Sequence, residues 1–195
     1  MKHTLCVLLI LALCTFPMAL AENGEGLFDV AALEEDETLF SFLDDNHIDT
    51  VYRPDGQPFY GDVSEGSVLA YIDYVELPNA DVVALRLTIG FETYEALYGY
   101  ELTLRAGDTE LTFAADPYIN DYDMIWQEDY TIYLTGDAAG LMEALASGDG
   151  NLAFTIRGER EITGTIAMDP EAIRAIWEKY VALGGPEQDF SKLTQ

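Results

Sequence analysis

The feature that most restricts the fold is a segment that can pair with itself in essentially one register. Residues 100–113 place Gly107-Asp108 between two alternating runs, and the glycine supplies the positive φ that a two-residue hairpin turn requires. Folding about that turn sets Ala106 against Thr109, Leu104 against Leu111 and Leu102 against Phe113. The other face then opposes Arg105 to Glu110 and Thr103 to Thr112. Apolar, ionic and hydroxyl pairs agree together, and a slip of one residue would break all of them. Residues 152–166 repeat the pattern around Gly158-Glu159-Arg160. A three-residue loop opposes Ile156 to Ile162, Leu152 to Ile166 and Arg157 to Glu161, whereas a two-residue loop would set Arg157 against Arg160.

The middle of the chain extends this β pattern. Val83, Leu85, Leu87, Ile89 and Phe91 alternate with Val82, Ala84, Arg86, Thr88 and Gly90, a period of two. Residues 67–77 form a partner strand, joined to it by a turn at Pro78-Asn79-Ala80, and residues 131–134 read as another strand. Helices are fewer. Asp169-Pro170 caps and starts one, Ile173, Ile176, Trp177, Tyr180 and Val181 recur at helical spacing, and Gly184-Gly185 ends it. Short helices are predicted over 138–146, opened by Asp137 and closed by Gly148, and over 37–44, presenting Leu39, Phe40 and Leu43. The run Glu34-Glu35-Asp36-Glu37 reads as a solvated helix start. The expectation is α+β and mostly antiparallel: a sandwich-like sheet of hairpins with a C-terminal amphipathic helix and one or two short helices.

The first 21 residues follow a different logic. Lys2, an apolar run from Leu5 to Leu13, Pro17 and Ala19-Leu20-Ala21 have the layout of a cleavable secretory signal. The run is shorter than the roughly 20 residues that span a bilayer. Leu13 is bulky where a small residue precedes a lipidated cysteine, which disfavours an anchor at Cys14. Both cysteines, Cys6 and Cys14, lie in this leader, so the mature chain has no disulfide framework, thiolate nucleophile or cysteine-based zinc site. The expected location is secreted or extracytoplasmic, at the cell surface included, a pattern that fits bacterial export. The expected organisation is residues 1–21 as leader and 22–65 as an acidic segment with a short helix, packed on the main domain. A β-rich domain with the C-terminal helix follows over 66–185, then a flexible tail over 186–195.

Charge excludes several functions. The chain carries 36 Asp+Glu against 9 Lys+Arg, a net charge of −27, and loss of Lys2 with the leader makes it −28. Nucleic acids and anionic membranes require clustered Lys and Arg, so neither is an expected partner. Beyond the leader, no stretch is long and apolar enough to span a membrane. His47 is the sole histidine after the leader, and its setting among Asp44, Asp45, Asn46 and Asp49 is that of a solvated element end. No phosphate loop, dinucleotide glycine fingerprint, HExxH or SxxK spacing occurs, so no nucleotide or redox cofactor is expected.

The most distinctive segment is 116–133. It interleaves Tyr118, Tyr122, Trp126, Tyr130 and Tyr133 with Asp116, Asn120, Asp121, Asp123, Glu128 and Asp129. Flat aromatic rings stack on the C–H faces of sugars while amides and carboxylates bond hydroxyls. The same aromatics could also be filler on a half-buried sheet. Tyr118, Tyr122, Trp126 and Tyr130 are the candidate ligand-binding residues, with Phe91, Tyr94, Tyr98 and Tyr100 as a second cluster for the same surface. Glu128 and Asp129 are the alternative catalytic pair, since two carboxylates suffice for a glycosidase and aromatic neighbours can raise one pKa. Asp116, Asn120, Asp121 and Asp123 are the alternative calcium ligands, although the glycine and distal glutamate of an EF-hand loop are missing. Three functions follow: a secreted non-enzymatic domain binding a glycan or protein partner, a small carboxylate-dependent hydrolase, or a structural accessory protein of the cell envelope. The first is the primary expectation.

Overall fold

The computed structural model describes residues 28–44, 48–122 and 124–193; the proposed leader, His47 and Asp123 lie outside them. Chain order runs α1 (Val30–Glu34), β1 (Leu39–Leu43), β2 (Thr50–Pro54), β3 (Phe59–Val63), β4 (Ser67–Leu77) and β5 (Val82–Thr93). It continues with β6 (Glu101–Ala106), β7 (Thr109–Ala114), β8 (Tyr118–Tyr122), β9 (Ile125–Tyr133), α2 (Ala139–Ser147), β10 (Asn151–Arg157), β11 (Glu161–Ala167) and α3 (Pro170–Ala182). The class is α+β, built on one curled, antiparallel sheet. Its strands run β7-β6-β10-β11-β3-β4-β5-β9-β8, with β2 pairing a further stretch of β4 and β1 pairing β2.

Both hairpins adopt the register that their side-chain chemistry dictates. Thr103 faces Thr112, Leu104 faces Leu111 and Arg105 faces Glu110, with Gly107 at φ 55° in the turn. Ile156 faces Ile162 and Arg157 faces Glu161. Strands β4 and β5 pair from Ser67 with Glu92 to Leu77 with Val82, joined by a turn in which Asp81 N–H donates to Leu77 O.

α3 starts as its cap demands: Asp169 accepts from Glu171 N at 3.0 Å, and Gly184 leaves the helix at φ 90°. It lies over the core face of the sheet, where Tyr74 Oη donates to Ile176 O. The Arg174 guanidinium donates to Ala146 O near the end of α2, holding the two helices together. The apolar sheet face and these helices enclose the main core, including Ile72, Tyr74, Leu87, Ile89, Phe91, Leu104, Phe154, Ile173 and Tyr180.

Several expectations change. Residues 39–43 form β1, not a helix: Phe42 faces Val51 and Ser41 faces Tyr52 on β2. Five residues of mixed apolar spacing fit either period, and a paired neighbour decides between them. The helix lies earlier, where Asp29 accepts from Ala32 N at 3.2 Å, so Glu34 and Glu35 end α1 rather than start a helix. Carboxylates at a helix C-terminus oppose its dipole, and an ion pair between Asp36 and Lys179 offsets this. α2 follows a 3-10 turn over Gly136–Ala138 and opens from Ala138 instead of Asp137. The sheet is continuous across residue 65, because β3 lies between β11 and β4. Within the segment expected as a flexible tail, Gln188 is anchored: its Oε1 accepts from Val83 N and its Nε2 donates to Val83 O, both at 2.7 Å.

Candidate functional site

The hairpin of β8 and β9 carries the aromatic segment, and strand periodicity divides it between two faces. Tyr118 opposes Asp129, Asn120 opposes Gln127 and Tyr122 opposes Ile125 on the outer face. Ile119 opposes Glu128 and Asp121 opposes Trp126 on the inner face. Tyr118 and Tyr122 are 61% and 46% exposed, whereas Tyr130 is buried and Trp126 is half-buried, with its ring 6.1 Å from that of Tyr98. The four candidate ligand-binding residues therefore do not form one surface. Of the second cluster, Phe91 is core, while Tyr94, Tyr98 and Tyr100 are exposed.

Glu128 and Asp129 also diverge, as neighbours on a strand must. Glu128 is fully buried and accepts from Leu97 N at 2.5 Å, Tyr98 N at 2.8 Å, Gly99 N at 3.2 Å and Tyr130 Oη at 2.5 Å. Burial and then the bond to Glu128 push the Tyr130 phenol up. This carboxylate anchors the 97–99 loop. It is sealed from substrate and cannot converge with Asp129, which removes the pair as acid and base of a hydrolase. Of the alternative calcium ligands, Asn120 and Asp121 point to opposite faces, and no group of three or more His, Cys, Asp and Glu that could hold a metal ion occurs among the described residues.

Pairing across the sheet assembles a broader surface on the outer face. One row runs Tyr118, Asp129, Gly90, Leu69 and Tyr60 over β8, β9, β5, β4 and β3. The adjacent row runs Asn120, Gln127, Glu92 and Ser67. Tyr60 is 69% exposed at one end, and Tyr118 and Tyr122 stand at the other. Two residues of the same face lie about 6.7 Å apart along a strand, so the rings of Tyr118 and Tyr122 bracket Asn120 over about 13 Å. Polar groups on this face are tied together: Tyr122 Oη donates to Gln127 Oε1, Gln127 Nε2 donates to both Asp129 oxygens at 3.0 Å, and Ser67 Oγ donates to Glu92 at 3.2 Å.

A buried ionic cluster bounds the surface. Asp73, fully buried, accepts from Arg53 Nε at 2.7 Å and Arg53 Nη2 at 2.9 Å, and from Arg86 Nη2 at 3.2 Å. The Arg53 guanidinium stacks on Tyr71 at 3.7 Å. Beyond it, Val51, Val75 and Ala84 form a small second core on the same sheet face, with Phe42 and Tyr133 packed against it. Sequence reasoning missed Tyr60, Ser67, Glu92 and this cluster. A signal for the cluster was present: the register of β4 with β5 opposes Asp73 to Arg86 within two otherwise apolar strands.

Fold and site together define an α+β protein with one curled sheet and an aromatic-edged polar platform on its outer face. No protein-family model, curated protein or solved structure matches the chain.

Proposed function

We propose that this is an exported, non-catalytic binding module whose ligand is a neutral carbohydrate chain held on the outer face of β3, β4, β5, β9 and β8. The observation that carries the reading is the placement of exposed Tyr118 and Tyr122 around Asn120, beside Gln127 and Asp129. Rings stack on sugar C–H faces, and amide and carboxylate groups between them match hydroxyls. Residues 106–156, which hold β8 and β9, contain no Lys or Arg, and Arg53 and Arg86 at the border of the face are tied to Asp73, so carboxylates of this surface would repel uronates and sulfated glycans. Export rests on the leader-like residues 1–21.

Native electrophoresis through gels containing single soluble polysaccharides tests the reading. At least one neutral polymer is expected to retard the protein, and Tyr118→Ala with Tyr122→Ala to restore free mobility with the circular dichroism spectrum unchanged. Unretarded migration through the whole panel of neutral, amino-sugar and uronate polymers would refute it. Export is checked separately by intact mass: material from the culture fluid or envelope is expected to begin at Glu22.

A further inference from the structure

We propose that the outer edge of β8 accepts an extended, Lys- or Arg-bearing strand of a partner polypeptide. β8 ends the sheet, and among the described residues no strand pairs with its outer side. The opposite end differs, since α2 packs against β7. Natural sheets blunt open edges with short strands, proline, charged side chains or a covering element, because unpaired N–H and C=O groups recruit other strands. β8 is a short strand, Tyr-Ile-Asn-Asp-Tyr, preceded by Pro117, and the charge it carries is the inner-face carboxylate of Asp121, which opposes neutral and acidic strands but not a cationic one.

Charge selects the occupant. Exposed Asp116 and Asp121 flank or lie on the strand, and the 51 residues from 106 to 156 hold acids but no base. A second copy of this chain would bring together two molecules each at −27, which disfavours self-pairing. A cationic strand faces no such penalty. Its Lys or Arg side chains on one face would meet Asp121, and the alternate side chains on the other would lie against the rings of Tyr118 and Tyr122. Main-chain pairing supplies affinity and the flanking side chains supply selectivity. The partner strand shares the rings of Tyr118 and Tyr122 with the face proposed for carbohydrate, but the backbone edge of β8 and Asp121 lie outside that face, so either reading can fail without the other.

The probe is a synthetic eight-residue peptide of alternating Lys and Val, with a Glu-Val counterpart and an alternately N-methylated Lys-Val version. Fluorescence anisotropy is expected to show binding of the Lys-Val peptide, weakened at least tenfold by N-methylation and by raising salt from 50 to 500 mM. The Glu-Val peptide is expected not to bind. Hydrogen exchange is expected to slow within residues 118–122 on addition of the peptide. Asp121→Lys is expected to weaken the peptide at least tenfold while leaving retardation by polysaccharide unchanged, because Asp121 lies on the opposite side of the strand from the platform. Equal binding of the N-methylated peptide, absence of binding, or protection confined to other strands would overturn the proposal. So would protection of 118–122 in the free protein that grows with its concentration, since that would make a second copy the occupant.

Discussion

Gln57 pairs with the backbone of Ile72 as a neighbouring strand would. Its Oε1 accepts from Ile72 N at 2.5 Å and its Nε2 donates to Ile72 O at 2.8 Å. On that side of β4, β3 pairs as far as Ala70 and β2 begins opposite Tyr74, which leaves Ile72 between them. One side-chain amide thus bridges a gap in the sheet. Gln188 does the same for Val83, below the point where β9 starts to pair with β5 at Arg86.

Removing the bridge leaves a buried N–H and C=O at Ile72 unsatisfied. Gln57→Ala is expected to cost about 1–3 kcal/mol, read as a lower urea midpoint with an unchanged slope. An unchanged midpoint would show that water replaces the amide without loss.

Asp73 neutralises two arginines from within the sheet. Asp73→Ala is expected to destabilise by about 3–5 kcal/mol, because the guanidinium groups of Arg53 and Arg86 lose their shared partner where water is scarce. A triple change of Asp73, Arg53 and Arg86 to apolar residues is expected to recover much of that loss. Equal instability of the single and triple variants, by thermal melting, would contradict this account.

Glu128 has a structural role that can be separated from catalysis. Glu128→Ala orphans the N–H groups of Leu97, Tyr98 and Gly99 together with the Tyr130 hydroxyl. The expected cost exceeds about 3 kcal/mol, with faster hydrogen exchange concentrated in residues 97–99. Exchange that rises evenly over the whole chain would argue against a local anchor.

Asp49 carries a pH signature. Burial, and then the Asp44 carboxylate, raise its carboxyl above the ordinary 3.8. A raised folded pKa means that the folded state holds the proton more tightly than the unfolded one. The associated stability is full below 3.8 and is lost as pH rises through the raised value. Asp49→Asn is therefore expected to raise the melting temperature at pH 7, with the gain closing as pH falls below 3.8. A gain that grows on acidification would reverse the sign of this argument.

Within the sequence itself, local pairing was decisive where both partners lay close along the chain. The registers of 100–113 and 152–166 were legible because turn residues and opposed side chains agreed, and α3 because Asp169, Pro170 and Gly184 mark its ends. Where the period was ambiguous, as at 39–43, a neighbouring strand decided, because pairing with β2 engages the backbone of all five residues. The aromatic segment was legible as residue types but not as a surface. Only the order β3-β4-β5-β9-β8 brings Tyr60, Ser67 and Glu92 into line with Tyr118 and Asn120, and the pleat alone sends Trp126, Glu128 and Tyr130 inward. Contacts between strands distant along the chain depend on which edges meet, and that is settled by burying one whole sheet face under α2 and α3 rather than by any local pattern.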